Sequence, residues 1–136
     1  MLESHVIQLA ENLNLPPQDS QDANQYFHLK ISDKINISMK SLNPGLFFLA
    51  QLGSLPLKKR EDTLSYLMKA NFLGQGTGGY VIGIDSEENL LTLSHKITYD
   101  INYKTFKEIV EDFANYLSYW QGEVQKLQKE NETGII

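Results

Sequence analysis

Apolar residues recur along this chain with two periods, and the switches between them mark out its elements. Leu2, Val6, Leu9, Ala10 and Leu13 fall three or four apart, so residues 2 to 13 read as an amphipathic helix. Pro16-Pro17 ends it, and the polar run Gln18 to Gln25 reads as a loop. From Tyr26 to Ile31 the pattern becomes alternating, with Phe27, Leu29 and Ile31 on one face of a strand. Ser32-Asp33 turns the chain, and Ile35, Ile37 and Met39 alternate in a second strand. Asn43-Pro44-Gly45 is a turn, because Pro sets φ for the first corner and Gly accepts positive φ at the second. Leu46 to Leu52 then makes a third strand. Turns this short imply an antiparallel meander.

Helical spacing returns from Lys59 to Phe72. Leu64, Leu67, Met68 and Phe72 line one side of this second helix, and Tyr66, Ala70 and Leu73 another. Gly74-Gln75-Gly76-Thr77-Gly78-Gly79 breaks it. Tyr80 to Ile84 and Leu90 to Ile97 form a hairpin around the polar loop Asp85 to Asn89. Thr105 with Glu108 three residues on reads as a capping box, opening a long last helix. Its stripe is Phe106, Val110, Phe113, Leu117, Trp120, Val124 and Leu127. The expected fold is α+β: a five-stranded antiparallel sheet with three helices, in the order α-β-β-β-α-β-β-α. Residues 1-128 read as a single domain, and residues 129-136 as a flexible tail.

Length and composition agree with one globular unit. The chain has 136 residues, 41% of them hydrophobic and 21% charged, which suits a packed domain and not a disordered one. No cysteine is present, so disulfides, thiolate metal sites and cysteine nucleophiles are excluded together. The formal net charge of -5 argues against nucleic acid, whose binding relies on Lys and Arg displacing counterions. The one basic cluster, Lys58-Lys59-Arg60, is followed at once by Glu61-Asp62 and reads as a solvated helix start. An acidic balance would instead favour basic partners. The first residues lack the pattern of a secretory signal, and no stretch reaches the ~20 apolar residues that cross a bilayer. The expectation is a cytoplasmic protein without membrane insertion.

Catalytic chemistry finds little support. Gly74-x-Gly76-x-x-Gly79 matches a dinucleotide fingerprint as a string, but that motif needs a strand before it and a helix after it. Here the order is reversed, which would offer a phosphate the negative end of a helix dipole. A helix stop and a close backbone turn is the reading the spacing favours. His5, His28 and His95 fall in different elements with no metal-binding spacing, and no serine sits in a GxSxG context. Glu87-Glu88 falls in a hairpin loop, and Glu111-Asp112 on the polar side of the last helix. No catalytic, cofactor-binding or metal-binding residue is assigned, and no enzyme is expected.

Surplus apolar surface is the informative feature. In the third strand Leu46, Phe48 and Leu52 point one way while Phe47 and Leu49 point the other, so both faces ask for cover. The second helix is apolar on two sides, more than one sheet contact requires. Either helices coat both sheet faces, or a second copy completes one surface and a segment of another polypeptide completes the other.

The stretch from Leu67 through Ala70-Asn71-Phe72-Leu73, the Gly74 to Gly79 turn and Tyr80-Val81-Ile82-Gly83-Ile84-Asp85 resembles one family. It is similar to the segment shared by class I type III secretion chaperones, the Tir-chaperone (CesT-like) family. Leu90-Leu91-Thr92-Leu93-Ser94 resembles the next strand of that family, and the helix bearing Phe106, Phe113 and Trp120 its C-terminal helix. The specific motif covers residues 64 to 97, and the order of elements nearly the whole chain. The resemblance implies a homodimer in the bacterial cytoplasm that binds the N-terminal chaperone-binding region of a secreted effector. It would keep that region extended and export-competent, without cofactor or ATP hydrolysis. By position the resemblance implies a dimer interface at Leu64, Leu67, Met68 and Tyr80. The resemblance implies a client-binding region near the first helix and first three strands, and the candidates within it are Leu2, Val6, Phe27, Leu29, Ile35, Ile37, Phe47 and Leu49. Docking on the secretion ATPase is left open. The alternatives are a peptide-binding or regulatory module of the same fold unconnected with secretion, and a small nucleotide-binding enzyme built on the glycine turn.

Overall fold

Alternation along the strands decides which side chains the core receives. In this computed structural model, which describes residues 1–16, 20–85, 87 and 89–133, the order runs α1 (Leu2–Asn12), β1 (Tyr26–Lys30), β2 (Asn36–Ser41), β3 (Leu46–Ser54), α2 (Arg60–Asn71), a 3-10 turn (Phe72–Gly74), β4 (Val81–Ile84), β5 (Leu90–Ile97) and α3 (Tyr103–Thr133). That is the order read from the sequence, with ends displaced by a residue or two. The strands form one sheet of order β1-β2-β3-β5-β4, and the pairs β1–β2, β2–β3 and β4–β5 are antiparallel. Pro17, Gln18 and Asp19 of the expected loop, Ser86 and Glu88 of the hairpin loop, and Gly134 to Ile136 of the expected tail lie outside the described residues. α3 itself continues past Lys129 to Thr133.

The contacts divide the chain into two compact units. The first holds Met1–Ala50 and His95–Asn115. In it Phe27 pairs with Met39 and Leu29 with Ile37 across β1–β2, and Met39 pairs with Phe48 across β2–β3. All five are buried. Leu2, Val6, Leu9 and Ala10 of α1 and Phe106, Val110 and Phe113 of α3 are buried with them. Phe48 meets Phe113 edge-on at 5.5 Å and Phe106 at 6.1 Å between ring centroids, so this part of α3 lies on the Phe48 face. His5 joins α1 to the same side: its Nε2 is 2.8 Å from the Ile101 carbonyl and its ring 5.2 Å from Phe106. Burial of each such side chain is worth about 1.5–3 kcal/mol, and each aromatic edge contact about 0.5–1.5 more. The α3 N-terminus corrects one expectation. Asn102 Oδ1 accepts the Thr105 N–H at 2.9 Å, so Asn102 is the cap and Thr105 stands inside the first turn.

The second unit holds Gln51–Ser94 and the chain from Tyr116 onward. In the β4–β5 hairpin Ile82 faces Leu93 and Ile84 faces Leu91. Leu52, Leu55, Leu67, Ile82, Leu91 and Leu93 are buried, as are Leu117, Trp120 and Val124 of α3. Gln121 Nε2 donates to the Gln51 carbonyl at 3.1 Å and Gln128 Nε2 to that of Ser54 at 2.6 Å. These amides tie α3 to the end of β3.

Candidate functional site

The glycine turn is built for packing. Gly76 N–H donates to the Ala70 carbonyl at 2.9 Å and Gly79 N–H to that of Gly74 at 3.2 Å, which closes the turn onto the end of α2. Trp120 Nε1 donates to the Gly76 carbonyl at 3.0 Å. At Gly78, φ is +65° and an added Cβ would stand 2.5 Å from Cζ of Tyr116. Only glycine fits there, because the Tyr116 ring packs against the turn at this position. Thr77 is buried at 0% exposure, and its Oγ1 finds no hydrogen-bond partner among the described residues. The turn is a helix stop, as its reversed order in the sequence suggests.

Beside the turn, unit 2 leaves a run of large apolar side chains in water. Met68 is 69% exposed, Phe72 64%, Leu73 80% and Val81 53%. Leu64 is half-buried on the same helix, and Leu64, Met68 and Phe72 share an open depression with Glu61, Ser65 and Lys69. Leu73 adopts φ 54°, a left-handed conformation that a leucine takes at a cost, and it is the most exposed of the four. Of the four residues assigned by resemblance to a dimer interface, Leu64 and Met68 belong to this surface. Leu67 and Tyr80 are buried at 2% and 5%, inside unit 2. Phe72, Leu73 and Val81 were not assigned. The signal for Val81 was its alternation with Ile82, which puts the two on opposite faces of the hairpin.

Unit 1 presents a different surface. Both of its helical segments lie on the Phe48 side, and the opposite side of β1–β3 carries Tyr26, Ser38, Lys40, Phe47 and Leu49, all half-buried. Of the residues assigned to client binding, Ile35, Phe47 and Leu49 are half-buried. Leu2, Val6, Phe27, Leu29 and Ile37 are buried, and form the core beneath.

The titratable groups hold structure together. His28 Nδ1 is 2.8 Å from Ser38 Oγ and its Nε2 2.6 Å from Asp22 Oδ2. Asp22 also accepts the N–H groups of Asn24 and Tyr26 at 2.8 and 3.0 Å. The Tyr26 N–H first, then His28, hold its carboxyl below the usual carboxylate range. This hydroxyl–imidazole–carboxylate row therefore clasps the approach to β1. In unit 2 Tyr119 donates to Glu123 Oε1 at 2.9 Å, which raises the phenol's pKa. Among the described residues no three His, Asp or Glu side chains gather as a metal-binding set, and no helix is long and apolar enough to cross a membrane.

Comparison with known proteins gives this geometry a context. The model of the Tir chaperone protein (CesT) family matches residues 5–121. A protein of Chlamydia pneumoniae is 28% identical over 123 residues, which cover 88% of this chain and 93% of that protein. The HopA1-SchA chaperone-effector complex contains a chain similar at TM-score 0.65 and 13% identity, covering 89% of this chain and 93% of the matched one. The heterodimeric ExoU-SpcU complex from the type III secretion system of Pseudomonas aeruginosa matches at TM-score 0.65 and 13% identity, over 90% and 96%. At these identities the two structures speak to the fold.

Proposed function

The chain belongs to the Tir chaperone protein (CesT) family, and we propose that it acts as a type III secretion chaperone, binding the N-terminal region of a secreted effector in the bacterial cytoplasm and keeping it extended for export. The chemistry required is contact and not bond-making, in keeping with a glycine turn that acts as a helix stop and packs against Tyr116 at Gly78. The observation that carries the proposal is the apolar run Met68, Phe72, Leu73 and Val81 left in water by unit 2.

Burying such side chains is worth about 1.5–3 kcal/mol each, and a second copy of the chain offers the same surface in return. We therefore assign this face to a homodimer. Leu64 and Met68 lie in the contact, and Leu67 and Tyr80 support it from inside the subunit. The client is assigned to α1 and β1–β3, where Ile35, Phe47 and Leu49 are within reach. An effector segment held extended cannot bury its own apolar residues, so it gains by docking them. Ordering it costs conformational entropy, which a long wrapped contact offsets. Dimerisation supplies two such surfaces to one client chain and raises the effective concentration of the second contact.

The test is co-expression with tagged candidate effectors, followed by mass spectrometry of what the purified protein retains. The proposal expects the N-terminal region of an effector to be retained, and no shift in melting temperature with ATP or NAD. A nucleotide-induced shift with no effector retained would return the glycine turn to the enzyme reading.

A further inference from the structure

We propose that the open sheet face of unit 1 selects a client segment in which carboxylates alternate with apolar side chains, an inference that rests on the chaperone reading above. Two features of that face carry it: greasy positions available for contact, and positive charge left without a counter-charge. Phe47 and Leu49 supply the first. Lys40 lies across from Phe47 in the register of β2–β3 and across from Tyr26 in that of β1–β2, so Tyr26, Lys40 and Phe47 form one row across three strands. Leu49 lies across from Ser38 in the next row, and Lys30 ends β1 beyond it.

No carboxylate stands in these rows, although the chain as a whole carries a formal net charge of -5. Lys40 Nζ sits 5.5 Å from the centre of the Tyr26 ring, and among the described residues no carboxylate pairs with Lys30 or Lys40. Asp22, at the margin, is committed to His28 and to two backbone N–H groups, and Asp33, in the turn between β1 and β2, makes no ion pair with Lys30. The face is thus basic and aromatic against an acidic background, opposite in sign to what overall charge implies about partners.

Spacing defines the occupant further. By register Lys30 lies four residues along β1 from Tyr26, the partner of Lys40. At about 3.4 Å per residue the two ammonium groups spring from points roughly 14 Å apart along the strands. An extended client lying along the strands turns alternate side chains down, about 7 Å apart. Two carboxylates separated by three residues would reach the two lysines, and the side chain midway between them would lie over the row of His28, Ser38 and Leu49. Such pairing selects against basic segments, where like charges would meet, and so gives specificity beyond apolar contact.

The test uses the 136-residue chain and a pair of short fluorescent peptides. One carries two glutamates flanking a leucine at alternate positions, and its twin carries lysines in their place. Fluorescence anisotropy should give the glutamate peptide about tenfold or greater preference, shrinking as salt is raised. Lys30→Glu with Lys40→Glu should reverse that preference while leaving the mass by light scattering unchanged. If the reversed pair does not fold, Lys30→Gln with Lys40→Gln should abolish the preference without reversing it. Equal binding of the two peptides to the wild type, or a variant that still prefers glutamate, overturns the proposal. Loss of the dimer in the variant also overturns it, because a second copy would then be the occupant. Effector retention on co-expression is read in parallel. Equal retention by wild type and variant removes this face from client binding and leaves the chaperone reading standing. No retention by the wild type counts against the chaperone reading itself, and the peptide preference still decides the chemistry of the face.

Discussion

Asn71 brackets Ile82: its Nδ2 donates to the Ile82 carbonyl and its Oδ1 accepts the Ile82 N–H, each at 2.8 Å. β4 is an edge strand, and unpaired edge groups invite other chains to add on. One amide at the end of α2 thus closes the open side of β4 at Ile82 and fixes the helix to the strand. Asn71→Ala should cost about 2 kcal/mol, since two hydrogen bonds go and a part-buried N–H and C=O lose their partners. Urea unfolding should register this as a lower midpoint with unchanged slope. A loss below about 0.5 kcal/mol would mean that water replaces the amide.

Gly78 and Gly79 separate backbone strain from steric overlap. Both have positive φ, +65° and +93°, but a Cβ at Gly78 would meet Tyr116 at 2.5 Å while one at Gly79 meets nothing within 4 Å. Gly79→Ala should cost about 1 kcal/mol, the conformational penalty alone. Gly78→Ala should cost about 1–3 kcal/mol more, because the ring must move. Equal losses in the two variants, by denaturant unfolding, would remove Tyr116 from the explanation.

His95 gives the stability a pH dependence of known sign. Burial lowers its pKa from 6.5, with Asp112 opposing the shift. The folded state therefore takes up its proton at lower pH than the unfolded chain does. Above the unfolded value both states are neutral and the residue contributes no slope. As pH falls through 6.5 the unfolded chain binds the proton first, and stability drops until the folded pKa is reached. His95→Gln should flatten the decline between about pH 7 and 5 in urea titrations. An unchanged decline would assign it to other groups.

Thr77 pays for a hydroxyl that the described residues leave unsatisfied. Thr77→Val keeps the branched shape and removes the buried Oγ1. The exchange should raise stability by about 1 kcal/mol, seen as a higher melting temperature. Destabilisation of similar size would reveal a partner for the hydroxyl, such as an ordered water.

How far the sequence reached depends on the range of the interaction. Strand alternation predicted that Leu46, Phe48 and Leu52 share a face and that Phe47 and Leu49 oppose them, because a period of two leaves no other choice. The glycine turn was legible as a stop, because a helix precedes it and a strand follows. Its need for glycine at Gly78 was hidden, since Tyr116 is distant in sequence and met only in the fold. The capping-box spacing pointed to Thr105 and missed Asn102, three residues earlier, whose short side chain reaches the Thr105 N–H. The orientation of α2 was the least legible feature. A helix apolar on two sides gives its spacing no means of deciding that Leu67 turns inward and Met68 outward.

Multi-angle light scattering of the 136-residue chain at micromolar concentration tests the apolar face of α2 and β4 most directly. The wild type should weigh twice 15.5 kDa, and Met68→Asp, at an exposed site, should be a folded protein of 15.5 kDa. Leu67→Asp should instead unfold, because its side chain is 2% exposed. A wild-type mass of 15.5 kDa, with Met68 and Phe72 left in water, would contradict the pairing of two copies through this face.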